Sequence, residues 1–250
     1  MTTALTGTSH SGATIGAPMP IRRRLSLIAL LTSLTPAAEA ARPMITDDAR
    51  ITDPQACQLE TWVHVHENSR ELWALPACNP SGNFELTLGG ALALARADGA
   101  AQSGAVVVQG KTLFKPLESN GWGLGLAAGY ATQTGRGQSG GPYFYLPGSL
   151  SLADDRVVLH ANLGATYFGD TRETRMTWGL GSETAATQHL YIIAEAFGQD
   201  TGRPFLQGGV RYWLIPGHLQ VDTTVGSNLA DMHGERWLSI GLRFITPPIF

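Results

Sequence analysis

Ionisable side chains recur at alternate positions in the later part of the chain, between residues that are apolar. Because residues two apart in a β-strand point to the same side, these side chains would share one face of a sheet. Charges of both signs on an enclosed face either pair into a stiffening network or line a wet path and set its selectivity. The candidates on this face are Glu85, His160, Arg175, Glu183, Glu195, Arg211, His218, Asp222 and Arg243.

A metal site could form where two histidines fall on one strand face. His64 and His66 are two residues apart, and Glu60 and Glu71 are expected close to them. Imidazole and carboxylate groups at such spacing can reach one ion. Solvated side chains near a strand end are the commoner outcome of the same pattern. The sequence therefore predicts no metal and no other cofactor.

Hydrolytic chemistry would need a nucleophile beside a base. Asp231 and His233 share a predicted loop, and serines lie nearby at Ser227 and Ser239. No G-x-S-x-G motif is present to place a serine on a strand-to-helix turn. A solvated loop explains this cluster better, so we expect no catalytic residues and no enzyme.

The strands that would carry these side chains show period-two alternation from residue 57 onward. Leu86, Leu88, Leu92 and Leu94, for example, alternate with small or polar residues. The pattern predicts twelve strands, with ten as the alternative if the first hairpin lies outside the wall. The predicted strands are 57–66, 69–77, 83–97, 103–114, 121–132, 142–153, 156–168, 173–183, 187–198, 204–214, 217–225 and 235–245.

The two cysteines fall within the first predicted hairpin. Folding residues 57–66 onto 69–78 about Glu67 and Asn68 places Cys57 opposite Cys78 in the same register that places Trp62 opposite Trp73. Directly opposed residues lie about 5 Å apart, which is close enough for a disulfide. The alternative is two unrelated reduced thiols.

The N-terminal region has the sequence features of a secretory signal peptide in their usual order. Arg22, Arg23 and Arg24 precede a short apolar run from Leu25 to Leu34, and a small-residue cleavage site, Ala38-Glu39-Ala40, follows the run. We predict a signal peptide over residues 1–40, with Met19 as a possible true start, although a buried N-terminal helix would also be apolar. Residues 41–56 form a predicted N-terminal periplasmic segment, which would either plug an interior or hang free.

Composition narrows the class of protein. The chain has 250 residues, 15% of them charged and 30 of them glycine, with a net charge of −3. The charged fraction is below the roughly 25% of soluble domains, and nothing favours nucleic acid. The predicted strands have the length that a tilted strand needs to cross a bilayer. Their apolar faces are aliphatic, whereas the opposite faces are small or polar. A soluble periplasmic β-protein is the main rival.

The final predicted strand carries a family resemblance. Its run from Ser239 to Phe244 resembles the C-terminal strand of bacterial outer-membrane β-barrels, and the chain ends in Phe250 after an intervening Thr246–Ile249. The resemblance covers the architecture of residues 57–250. It implies an all-β, antiparallel, up-and-down transmembrane barrel in the outer membrane of a Gram-negative bacterium. It also implies contact with outer-membrane lipids and insertion by the outer-membrane assembly machinery.

Function follows less directly from such a barrel. We expect a small channel or transporter for an unknown solute, because the predicted lumen is polar and the inward faces of residues 85–95 and 121–131 carry small side chains that leave room for a bore. The second hypothesis is a closed structural or ligand-binding barrel. The third is a lipid-modifying enzyme.

Overall fold

Twelve strands make up nearly all of the regular structure. A computed structural model describes residues 43–67, 69–95, 103–134, 140–229 and 236–250. No helix within these ranges is long and apolar enough to cross a membrane. The strands are β1 (Cys57–His66), β2 (Ser69–Cys78), β3 (Glu85–Ala95), β4 (Ser103–Lys115), β5 (Trp122–Thr134), β6 (Gly140–Leu152), β7 (Val157–Phe168), β8 (Glu173–Ala185), β9 (Leu190–Gln199), β10 (Phe205–Ile215), β11 (Leu219–Asn228) and β12 (Arg236–Ile245).

The strands close into one antiparallel barrel. Each pairs with its neighbours along the chain, and β1 pairs with β12 to complete the ring. Closure leaves no strand edge with unpaired backbone groups, which hydrocarbon would not tolerate. The predicted up-and-down barrel of twelve strands is confirmed, and the first hairpin is part of its wall.

The two faces of the wall have the polarity of a membrane barrel. Large aliphatic side chains point outward, and Leu163 and Leu180 near mid-strand are 56% and 59% exposed. Charged side chains such as Glu183 and Arg211 are buried on the inner face. This distribution is the reverse of a soluble protein and suits a wall with lipid outside and polar groups inside.

The first hairpin has the predicted register. Cys57 pairs with Cys78 and Trp62 with Trp73 across β1 and β2. The cysteines form a disulfide with their Cα atoms 4.0 Å apart, and the indole rings stack with centroids 5.3 Å apart. The predicted disulfide is therefore confirmed.

Both ends of the barrel sequence meet at one rim. The Thr246 amide donates to the Cys57 carbonyl at 2.8 Å, and the Ile249 amide donates to the Gln55 carbonyl at 2.7 Å. The short connections that precede β3, β5, β7, β9 and β11 lie at the same rim. We call it the periplasmic rim because short turns face the periplasm in such barrels, and we call the opposite one the outer rim.

Residues 43–56, here named the lumen segment, run inside the barrel without regular secondary structure. Most of the segment is buried, including Met44, Thr46, Asp48 and Ala49. Of the two alternatives for this segment, the described part fills the interior rather than hanging free, because its backbone finds hydrogen-bond partners on the inner wall. The predicted signal peptide and residues 41 and 42 lie outside the described residues.

Candidate functional site in the barrel lumen

The start of the lumen segment is held by a carboxylate on β9. Glu195 accepts hydrogen bonds from the backbone amides of Ile45 and Thr46, both at 2.8 Å. Gln207 on β10 donates its side-chain amide to Glu195 and to the Pro43 carbonyl, both at 2.9 Å. Two neighbouring strands thus bind three consecutive peptide groups of the segment.

The middle of the lumen segment is held by polar side chains on β6 and β7. The Asp47 amide donates to Asn162 Oδ1, and Asn162 Nδ2 donates back to the Asp47 carbonyl, both at 2.7 Å. The Ala49 amide donates to Ser149 Oγ at 2.8 Å. The Asn162 side chain thus satisfies both backbone groups of Asp47, as a neighbouring strand would.

The end of the lumen segment is held near the periplasmic rim. Glu85 on β3 accepts the Thr52 amide at 2.8 Å and also the Thr52 hydroxyl. Asn79, in the turn before β3, donates to the Thr52 carbonyl at 2.6 Å. Wall side chains therefore bind the segment from Pro43 to Thr52.

Charges on the lumen segment pair with a lysine of β4. Lys111 Nζ lies 2.7 Å from Asp47 Oδ2 and 3.6 Å from Asp48 Oδ1. Arg50 Nη1 lies 3.4 Å from Asp48 Oδ2. Burial raises the pKa of the Asp48 carboxyl above its ordinary value, while the positive charges of Lys111 and Arg50 act against this shift. Burying this carboxylate is therefore costly, and its two cations offset part of the cost.

A second ionic cluster centres on Glu183 of β8. Arg211 of β10 donates to both of its carboxylate oxygens at 3.0 Å. Arg50 of the lumen segment lies 3.7 Å from Glu183, and His160 of β7 lies 3.6 Å from it. Asp222 on β11 pairs with Arg211 across the sheet. The cluster connects four strands and the segment in one buried network.

Ser149, His160 and Glu183 contact one another in the order of a hydrolase triad. Ser149 Oγ lies 2.8 Å from His160 Nδ1, and His160 Nε2 lies 3.6 Å from Glu183 Oε1. The serine is buried, however, and its oxygen accepts the Ala49 amide. This hydrogen bond fixes the lumen segment to Ser149.

Glycines on the inner wall make room for the lumen segment. A Cβ atom added at Gly179 would lie 2.5 Å from Thr46 Oγ1, and one at Gly123 would lie 2.8 Å from the Leu117 backbone nitrogen and 3.0 Å from the Ala49 Cβ. The segment can therefore approach the wall this closely only where side chains are absent. Part of the space that small residues leave on the wall is already filled.

The structure brings seven of the nine predicted lumen-lining residues to the barrel interior. The other two lie at the ends of the barrel and are not buried. Arg175 is near the outer end of β8, where it is partly exposed and pairs with Glu173. His218 is exposed in the turn before β11, and its ring nitrogen lies 3.3 Å from the Ile245 carbonyl. The buried seven are Glu85, His160, Glu183, Glu195, Arg211, Asp222 and Arg243.

Several residues of this site were not among the predicted ones. Val106 and Val108 on β4 point outward, and Lys111 lies an odd number of residues from both. Strand alternation alone could therefore have placed Lys111 in the lumen. Alternation also places Asn162 and Gln207 on the inner face. Neutral amides are common in loops and on strand faces, however, so their residue type alone does not indicate a binding role. All three have partners in the lumen segment, and the sequence of this segment shows no periodicity that would predict them.

Open space remains in the lumen on the side of β1 to β4. A cavity of about 440 Å³ lies between these strands and Met44, Ile45 and Asp47 of the lumen segment. A second cavity, of about 320 Å³, lies nearer the outer rim and is lined by small residues that include Ala91 and Ala131. A cavity is thus present near the outer rim, where the sequence predicted a bore beside β3 and β5, whereas Leu117 and Ala49 occupy the space against Gly123 nearer the periplasmic rim.

Among the described residues, one group has the composition of a metal site. His64, His66 and Glu71 each offer a ligand atom, and these atoms lie within 4.8 Å of one another. All three side chains are partly exposed. Glu60, which the sequence also suggested, instead lies 3.5 Å from Arg243.

Comparisons with known proteins agree with this architecture. A family model described as "Uncharacterised conserved protein UCP029691" matches residues 27–245. No curated protein matches the chain in sequence. Among solved structures, the KdgM porin in complex with disordered oligogalacturonate aligns with a TM-score of 0.57 and 10% identity, over 75% of this chain and 98% of that one. The NanC porin aligns with a TM-score of 0.54 and 11% identity, over 75% and 98%. The chain has the fold of outer-membrane porins.

Proposed function

This chain belongs to the family of the uncharacterised conserved protein UCP029691, and we propose that it is a narrow solute channel of the outer membrane whose bore is restricted by its own lumen segment. The proposal draws on the porin-like barrel and on the polar lumen. It makes the lumen segment a permanent part of the constriction.

The cavity beside the lumen segment is the observation that carries this proposal. Its lining includes Gln58, Glu60, Trp62 and His64, which are consecutive inward residues of β1. A strand rises about 3.3 Å per residue, so these four positions span roughly 20 Å along β1. Space of this length beside the segment supports a path that follows the β1–β4 wall.

The charges around this cavity suggest which solutes would pass. Four carboxylates line it, from Asp47, Glu60, Glu71 and Glu85, against the ammonium group of Lys111 in the lining and the guanidinium of Arg243, which lies 3.5 Å from Glu60. The KdgM porin structure holds oligogalacturonate, which is a polyanion. A lining with an excess of carboxylates would repel such a ligand, so we propose small neutral or cationic solutes for this chain.

Planar-bilayer recordings of the purified mature protein test the proposal. We expect small, discrete, cation-selective currents. A variant that lacks residues 43–55 should conduct more, because the lumen segment no longer occupies the bore. Glu60→Gln should reduce the cation preference by removing one lining charge. Heat-dependent migration in gels checks that each variant is a folded barrel. A silent bilayer with both the full protein and the shortened variant would contradict the channel.

A closed structural or ligand-binding barrel is the second candidate. The observation that favours it is the set of hydrogen bonds that fixes the lumen segment from Pro43 to Thr52. This candidate predicts no current from the full protein but a current once residues 43–55 are removed. The same recordings therefore separate the two functions.

A further inference from the structure

Two histidines and a glutamate converge on the inner wall near the outer rim. His64 and His66 lie on the same face of β1, and Glu71 on β2 is the direct cross-strand partner of His64. The imidazole rings have centroids 5.7 Å apart. One ligand atom from each of the three side chains falls within 4.8 Å of the others. The paired strands thus fix the three Cα positions, leaving only side-chain rotation to adjust.

This donor set fits a particular class of ion. Imidazole nitrogen suits zinc, copper and nickel, whereas calcium and magnesium prefer oxygen ligands alone. Zinc binds such atoms at about 2.0–2.2 Å, which places neighbouring ligand atoms about 3.3 Å apart in a tetrahedron. Rotation of partly exposed side chains can close the present spacing to that value. Three protein ligands leave a fourth position for water or a solute.

Neighbouring side chains orient the donors. Trp73 Nε1 donates to Glu71 Oε2 at 2.9 Å and so holds one carboxylate oxygen in place. Trp62 stacks on Trp73, and its ring lies 6.4 Å from the His64 ring. Trp237 lies 6.3 Å from His64 on the side of β12. Partners that fix the orientation of a ligand in this way are a regular feature of metal sites.

We propose that His64, His66 and Glu71 bind one divalent transition-metal ion, of which Zn²⁺ is the representative, on the lumen wall near the outer rim. The site does not require the barrel to conduct. The spacing in sequence alone favoured solvated histidines. Placing Glu71 directly opposite His64, with a tryptophan holding its carboxylate, is what changes that assessment.

Cobalt titration of the full mature protein in detergent tests the site. Co²⁺ reports coordination by its visible absorption, and Zn²⁺ should displace it. We expect one Co²⁺ per chain. The variants His64→Asn, His66→Asn and Glu71→Gln should each weaken binding by at least about tenfold, since even partners of metal ligands matter by 10–100-fold. His218→Asn, which alters an exposed histidine at the periplasmic rim, should bind as the unaltered protein does.

Two results would overturn the metal site. One is a cobalt spectrum of the unaltered protein that stays that of the hydrated ion, whatever the variants do. The other is binding that survives in the His64→Asn/His66→Asn double variant, since the ion would then lie elsewhere. Gel migration before and after heating checks the fold of each variant. Because no current is measured, failure of the metal site and failure of the channel are read separately.

Discussion

At the scale of single residues, the interior contains buried polar groups that bind both the barrel wall and the lumen segment. Glu195 binds backbone amides of the lumen segment and the side chain of Gln207. Glu183 binds Arg211 from the wall and lies 3.7 Å from Arg50 of the segment. Removing one partner from such a pair leaves the other buried and unsatisfied, which costs more than the bond contributed.

Glu195→Ala tests the hydrogen bonds that hold the start of the lumen segment. The amides of Ile45 and Thr46 lose their acceptor, so docking of the segment should weaken by about 1–3 kcal/mol. Hydrogen exchange of those amides should then accelerate by about 5- to 150-fold, since 1.4 kcal/mol corresponds to a factor of ten. Glu173→Ala, at an exposed position of β8, is the matched control and should leave the exchange unchanged. Unchanged protection in Glu195→Ala would mean that this carboxylate does not hold the segment.

At the scale of elements, the lumen segment packs closely against the barrel wall. The three atoms nearest to an added Cβ at Gly179 all belong to Thr46. A side chain at this position would therefore push on the segment rather than on the backbone of the wall. The strands can keep their pairing while the segment is displaced.

Gly179→Val should therefore displace the lumen segment without disturbing the barrel wall. The added side chain should oppose docking by about 1–3 kcal/mol, as overpacking of a fitted site does. Proteolysis of residues 43–56 should become faster while the barrel stays folded. Gly148→Val is the control, because an added Cβ there meets nothing nearer than 3.7 Å. Equal proteolysis of the two variants would argue against close packing at Gly179.

The disulfide belongs to the same scale because it ties β1 to β2. Cys57 and Cys78 are 21 residues apart. Closing a loop of this size removes conformational freedom from the unfolded chain, worth about 3 kcal/mol. Reduction, or the Cys57→Ser/Cys78→Ser variant, should therefore lower the midpoint of denaturation by urea, with the folded barrel retained. An unchanged midpoint would show that the pairing of β1 with β2 and β12 constrains the chain without the bond.

At the scale of the whole molecule, the barrel is a wall between two environments. Its outer surface is aliphatic along the strands, whereas its charges are collected inside. An outward charge should therefore become more costly with depth in the bilayer, reaching about 2–4 kcal/mol at the midplane. A soluble barrel would show no such dependence on position.

Two matched substitutions measure this dependence. Leu180→Arg places a charge near the middle of β8, and Leu152→Arg places one at the periplasmic end of β6; both leucines point outward. In liposomes, guanidinium denaturation should show a loss of about 2–4 kcal/mol for the first and about 0–1 kcal/mol for the second. Equal losses would contradict the predicted depth of these residues in the bilayer.

The sequence by itself determined the wall of the barrel. Alternation along each strand is local, so the twelve strands and their two faces could be read residue by residue. The register of the first hairpin followed from folding the chain about Glu67 and Asn68. This register places Trp62 opposite Trp73 and Cys57 opposite Cys78, and so predicts the disulfide. The inward orientation of Glu183 and Arg211 followed from the same alternation along the strands.

Only the tertiary structure decided what fills the barrel. The lumen segment has no periodicity, and its contacts join residues far apart in sequence, such as Ile45 and Glu195 with a separation of 150. Which inward charges pair with each other depends on how the ring of strands closes, and which remain beside open space depends on the path of the segment. Neither can be read from alternation, because period two states only which side of the wall a residue faces.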